Sequence, residues 1–84
     1  MPKIIIYTTS ICPYCMMAKR LLSTKGVAFN EIDVGGKPGL RAEMEEKSGR
    51  HTVPQIWIGP RHVGGCDDLH DLDARGELDR LLAA

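Results

Sequence analysis

The chain has 84 residues, 43% of them hydrophobic and 26% charged, enough for one domain spanning residues 1–84 and too few for a second core. Eleven Lys/Arg balance eleven Asp/Glu, so a net charge of zero provides no general pull toward nucleic acid or a membrane surface. Three cysteines, an odd count, argue against a disulfide framework, and with no export signal in the first residues a reducing cytoplasm is the expected compartment.

Lys3 to Tyr7 reads as a strand, apolar on both faces and therefore central in a sheet. Pro13 suits the first turn of a helix, where a missing N–H costs nothing. Tyr14, Ala18, Leu21 and Leu22 then recur at helical spacing up to a stop at Gly26. Val27 to Val34 is the second strand. "GGKPG" is a loop, and Leu40 with Met44 marks a second, mostly polar helix ending at Gly49. Gln55 to Ile58 is the third strand, and Gly59-Pro60 turns the chain into a short fourth strand around His62 and Val63, broken by Gly64 and Gly65. Asp67 or Asp68 caps a last helical region, whose Leu69, Leu72, Leu78, Leu81 and Leu82 face inward and which Gly76 divides in two. The order β-α-β-α-β-β-α is that of an α/β fold, with the first two strands parallel through a right-handed crossover and the last two an antiparallel hairpin.

Chemistry concentrates at "TSICPYCMMAKRLL". Cys12 falls where a helix N-cap belongs, facing unpaired backbone N–H groups and the positive end of the helix dipole, a setting that favours an anionic sulfur. Cys15 lies one turn on, close enough to approach it. The spacing suits thiol–disulfide exchange: an exposed Cys12 attacks a substrate disulfide and a more buried Cys15 resolves the mixed disulfide. A metal site needs further ligands, and Cys66, His51, His62 and His70 stand in no paired spacing.

Two other segments carry candidate binding residues. In "HTVPQIWI", Pro54 leaves Val53 with backbone groups free to pair with an extended peptide by strand addition. A proline that merely opens a strand in the trans form is the competing reading, since cis X–Pro makes up only ~5–6% of such bonds. In "VGGCDD", the glycines permit close approach to the backbone, the helix start offers N–H groups to a carboxylate, and Asp67 and Asp68 suit an ammonium. A zwitterionic ligand fits this combination, and so does ordinary helix capping.

Taken together, Cys12-Pro13-Tyr14-Cys15, Thr52-Val53-Pro54 and Gly64-Gly65-Cys66-Asp67-Asp68 resemble the dithiol glutaredoxins, the bacterial glutaredoxin 3 type in particular, over essentially the whole chain. The resemblance implies a thioredoxin-like fold with a four-stranded mixed sheet flanked by helices. It also implies a monomeric enzyme that reduces disulfide-bonded and glutathionylated proteins with electrons from glutathione, without metal or bound cofactor. By the same resemblance Cys12 is the nucleophile, Cys15 closes the intramolecular disulfide and Pro54 is cis. Val53 pairs with the cysteinyl part of glutathione, Asp67 and the amides near Cys66 and Asp68 hold its γ-glutamyl end beside Gly65, and Tyr14 and Thr52 line the groove. Many relatives carry a lysine where this chain has Thr9, so the helix terminus has more of the thiolate charge to hold, and Arg50 and Lys19 are the cations left to meet glutathione's glycyl carboxylate. Cys66 reads as a buried small residue beside the groove, with a regulatory thiol as the competing role. The alternative function is an iron–sulfur or zinc carrier that uses Cys12 as a ligand across a dimer.

Overall fold

The computed structural model describes residues 2–84; Met1, counted in the expected domain, lies outside them. The elements run β1 (Ile4–Thr8), α1 (Pro13–Thr24), β2 (Asn30–Asp33), α2 (Pro38–Ser48), β3 (Gln55–Ile58), β4 (Arg61–Gly64), α3 (Cys66–Ala74) and α4 (Glu77–Ala83). The four strands form one mixed sheet in the order β2-β1-β3-β4. β1 runs parallel to β2 and antiparallel to β3, and β3 and β4 make the expected hairpin. The doubly apolar β1 is central, as its composition requires.

Register divides the sheet into two faces. Ile4 pairs with Ile58 and Ile6 with Ile56, which places these four on one side; Ile5 pairs with Trp57 and Tyr7 with Gln55 on the other. The isoleucine side packs against Ala18 and Leu22 of α1, Leu69 and Leu72 of α3, and Leu78 and Leu82 of α4. The other side packs Tyr7 with Val34 and with Met44 of α2. Between Ile56 and Trp57 the hairpin slips register, leaving Val63 as an extra residue in β4 and setting His62 directly opposite Trp57.

Several boundaries differ from the sequence expectation. β2 is shorter than Val27–Val34, because only Asn30–Asp33 find partners along β1, while Val27 and Phe29 pack beside the core instead of pairing. The loop expected at "GGKPG" closes early, since Pro38 serves as a first-turn residue of α2. Gly64 ends β4 as a paired strand residue. Neither Asp67 nor Asp68 is the N-cap of α3: Gly65 is, and both acids sit within the first turn. Tyr14 is 59% exposed, so it shares the spacing of α1's apolar positions without joining the core. Gly76 divides the last helical region as expected, taking up a left-handed φ of 73° between α3 and α4.

Candidate active site

The strand β1 delivers the chain to the start of α1, and Cys12 is the N-cap of that helix, with extended backbone at φ −147° and ψ 101°. Its sulfur stands where a Ser or Asp oxygen caps an ordinary helix and accepts a hydrogen bond from the Cys15 backbone N–H at 3.1 Å. The same sulfur faces the Val53 carbonyl oxygen at 3.8 Å. A backbone donor and the end of a twelve-residue helix thus converge on Cys12 Sγ. Access is lower than the sequence implied: Cys12 is 8% exposed, not open to solvent, because the cap geometry folds its sulfur inward beneath Val53. Cys15 is more enclosed still, at 1%.

Cys15 is held firmly as a thiol. Burial, reinforced by the hydrogen bond and charge of Cys12, pushes it from an ordinary value of 9.0 up to about 12. All three cysteines are free, and burial also raises Cys66, with the neighbouring Asp67 adding to the effect.

Beside Cys12 lies a groove of about 270 Å³. Tyr14 from α1, Thr52, Val53 and Pro54 from the segment before β3, and Gly65, Cys66, Asp67 and Asp68 from the start of α3 all line it. These are the eight candidate binding residues singled out from sequence, and folding brings them to one place. The Val53–Pro54 peptide bond is cis. At Gly65 a Cβ would lie 3.5 Å from the Pro54 carbonyl oxygen, an ordinary contact, so space alone does not demand glycine there. Gly64 is needed for its backbone, at φ 114°, and a side chain there would press on the Asp68 carboxylate and the Arg50 guanidinium.

Arg50 also lines the groove, and Lys19 does not: its ammonium lies 3.0 Å from Glu31. Asp68 accepts from the Gly65 N–H at 2.9 Å and from Arg50 at 2.8 Å, and those two donors, the backbone one foremost, hold its carboxyl below the usual range. Asp68 is therefore occupied in closing the start of α3, while Asp67 is exposed. Sequence reasoning passed over Gln55, which is fully buried at the head of β3, and gave His62, 2.8 Å from it, no part in the groove. An amide opening an otherwise apolar strand was the available signal, because a buried amide must find partners.

A family model described as glutaredoxin matches residues 4–63. The chain belongs to the glutaredoxin family. It is 63% identical over its full length, and over the full length of the relative, to a protein from Pseudomonas aeruginosa named glutaredoxin. It is 57% identical to glutaredoxin 3 from Escherichia coli K12, with 98% of this chain and 99% of that one covered. Its fold superimposes with a TM-score of 0.90 on the crystal structure of a buckwheat glutaredoxin–glutathione complex, at 26% identity over 98% of this chain and 77% of the other. As a member of that family it has a thioredoxin-like fold and is a thiol oxidoreductase. Among the described residues no helix is long and apolar enough to cross a membrane.

Proposed function

We propose that this glutaredoxin is a cytoplasmic, monomeric, glutathione-dependent enzyme that reduces protein disulfides and protein–glutathione mixed disulfides. The observation that carries the reading is the 3.1 Å hydrogen bond from the Cys15 N–H to the Cys12 sulfur, beside a groove lined by Val53, Pro54 and the start of α3. With its sulfur stabilised by that amide, Cys12 attacks the glutathione sulfur of a mixed disulfide. The Cys12–glutathione bond forms, the original S–S bond breaks, and the protein thiolate departs to take up a proton. A second glutathione thiolate then attacks the glutathione sulfur, releasing glutathione disulfide and free Cys12.

On a protein disulfide Cys12 attacks one sulfur, breaking the substrate S–S bond and releasing the other sulfur as a thiolate. Cys15 then attacks Cys12 Sγ, breaking the mixed disulfide and releasing the second substrate thiolate. Two glutathione thiols in turn reduce the Cys12–Cys15 disulfide, leaving as glutathione disulfide. Before its attack Cys15 must lose its proton. Conversion of Cys12 to a neutral disulfide removes the charge that helps keep Cys15 protonated, so resolution becomes easier only once a substrate is attached.

In the groove, Val53 pairs through its backbone with the cysteinyl part of glutathione. Asp67 and the amides near Cys66 and Asp68 take the γ-glutamyl end, the first-turn amides of α3 receiving its carboxylate. Tyr14, Thr52 and Pro54 form the walls. Arg50 is the groove's cation, with Thr9 standing in the place of a lysine. No metal or bound cofactor enters the reaction.

The test is a pair of serine substitutions assayed on a glutathionylated peptide and on a protein disulfide. Cys15→Ser keeps the first activity and loses the second; Cys12→Ser loses both. Activity of Cys12→Ser on either substrate would overturn the assignment of the nucleophile. Stoichiometric metal or visible absorbance after anaerobic purification would replace the enzyme reading with that of a metal carrier.

A further inference from the structure

We infer that His62, which does not itself line the groove, is a positioning residue for it, holding the Thr52–Val53 wall in place through the buried side chain of Gln55. The inference rests on the proposed use of that wall to bind glutathione.

The atoms set the direction of the relay. Gln55 Nε2 lies 3.0 Å from the Thr52 carbonyl oxygen and 3.2 Å from Thr52 Oγ1. A carbonyl oxygen only accepts, so the Gln55 atom facing it is the amide nitrogen. The other end of the amide, Oε1, therefore accepts, and it lies 2.8 Å from His62 Nε2. His62 must then carry a proton on Nε2, and the chain of donors runs from His62 to Gln55 to Thr52. Gln55 is fully buried, so water cannot replace either partner, and loss of one leaves a buried polar atom unsatisfied.

His62 is fixed for this task. The register slip in β4 sets it opposite Trp57, and the two rings stack at 4.5 Å with 29° between their planes. Trp57 in turn meets Tyr7 edge-on at 5.4 Å. The charged groups acting on the imidazole are Arg50 and Asp68, joined to each other at 2.8 Å. Burial, aided by Arg50, holds the imidazole below its ordinary range, which leaves it neutral near pH 7 and makes the choice of tautomer meaningful.

The relay ends at Thr52, one residue before the backbone proposed to pair with glutathione, and none of its hydrogen bonds involves Cys12 or α1. Breaking it loosens the binding wall and leaves the nucleophile intact.

The experiment uses the full chain with a glutathionylated cysteine peptide as substrate and reduced glutathione as reductant. His62→Phe keeps the ring stack and removes the donor. It raises KM for the peptide by about two- to tenfold, the range of one net hydrogen bond, with kcat unchanged. His62→Gln restores an N–H donor without the ring and recovers most of the loss. In the wild-type protein, long-range proton–nitrogen NMR of the imidazole shows the neutral ring protonated at Nε2. A wild-type KM in His62→Phe, a His62→Gln variant no better than His62→Phe, or a neutral ring protonated at Nδ1 would each overturn the relay. A wild-type protein that reduces protein disulfides and ignores the glutathionylated peptide would instead overturn the functional reading, with the NMR result still deciding whether the relay exists.

Discussion

The face of the sheet covered by α1, α3 and α4 is a continuous aliphatic layer, with Ile4, Ile6, Ile56 and Ile58 set against Ala18, Leu22, Leu69, Leu72, Leu78 and Leu82. The face under α2 buries Tyr7, Val34 and Met44 and completes its packing with partly exposed side chains such as Leu40, Val53 and Trp57. The first face anchors the two helices whose N-termini meet at the site, α1 bearing Cys12 and α3 bearing the Gly65–Asp68 turn. The second carries the groove wall at Val53 and the polar relay behind it. Stability and the proposed chemistry thus draw on different sides of one sheet: the two helix starts rest on the thick side, and the wall proposed to bind glutathione rests on the thin one.

The largest test of that division is a pair of core truncations. Leu22→Ala on the thick side is expected to cost about 3–5 kcal/mol, while Met44→Ala on the thin side costs nearer ~2 kcal/mol, since flexible, partly exposed neighbours close more easily over the gap. Urea unfolding midpoints measure both, and equal losses would erase the distinction.

A second test uses pH to sharpen it. Cys15 has a folded value near 12 against an ordinary 9.0, so the folded state holds its proton more tightly than the unfolded state does. The stability this contributes is fully present below pH 9.0 and is lost as pH climbs toward about 12. Wild-type stability should therefore fall more steeply over that window than stability of Cys15→Ala; parallel curves would show that burial of Cys15 contributes nothing.

Gly64→Ala comes next. It forces a side chain into φ 114° and onto the Asp68–Arg50 pair, with an expected loss of more than about 1 kcal/mol and a weakened affinity for glutathione by calorimetry. The smallest effect is expected at Lys25, which bridges to Asp73 at 2.7 Å and to Asp79 at 2.9 Å. Lys25→Met should produce only a slight drop in melting temperature, vanishing in high salt; a large, salt-independent drop would mean that the helix ends on the thick side depend on charge more than on packing.

Much of this was legible in the order of residues because it rests on local rules. An apolar run, a proline at a helix start and a cysteine at the cap position fix β1, the opening of α1 and the closeness of Cys12 to Cys15 through short-range geometry alone. Gly76 likewise marked the break between α3 and α4 by its backbone freedom. The ends of β2 and the start of α2 were less legible, because pairing partners along β1 and a first-turn proline decided them.

What only the tertiary structure decided is everything that depends on residues distant in sequence. Eight binding candidates from three segments share one groove, Arg50 joins them while Lys19 is taken by Glu31, and Cys12 is turned inward beneath Val53. The link from His62 through Gln55 to Thr52 depends on a one-residue register slip that no local propensity announces. Helix starts and strand patterns follow from neighbours a turn or a pleat away, whereas access, ion-pair choice and buried hydrogen bonds follow from which surfaces meet when the sheet closes.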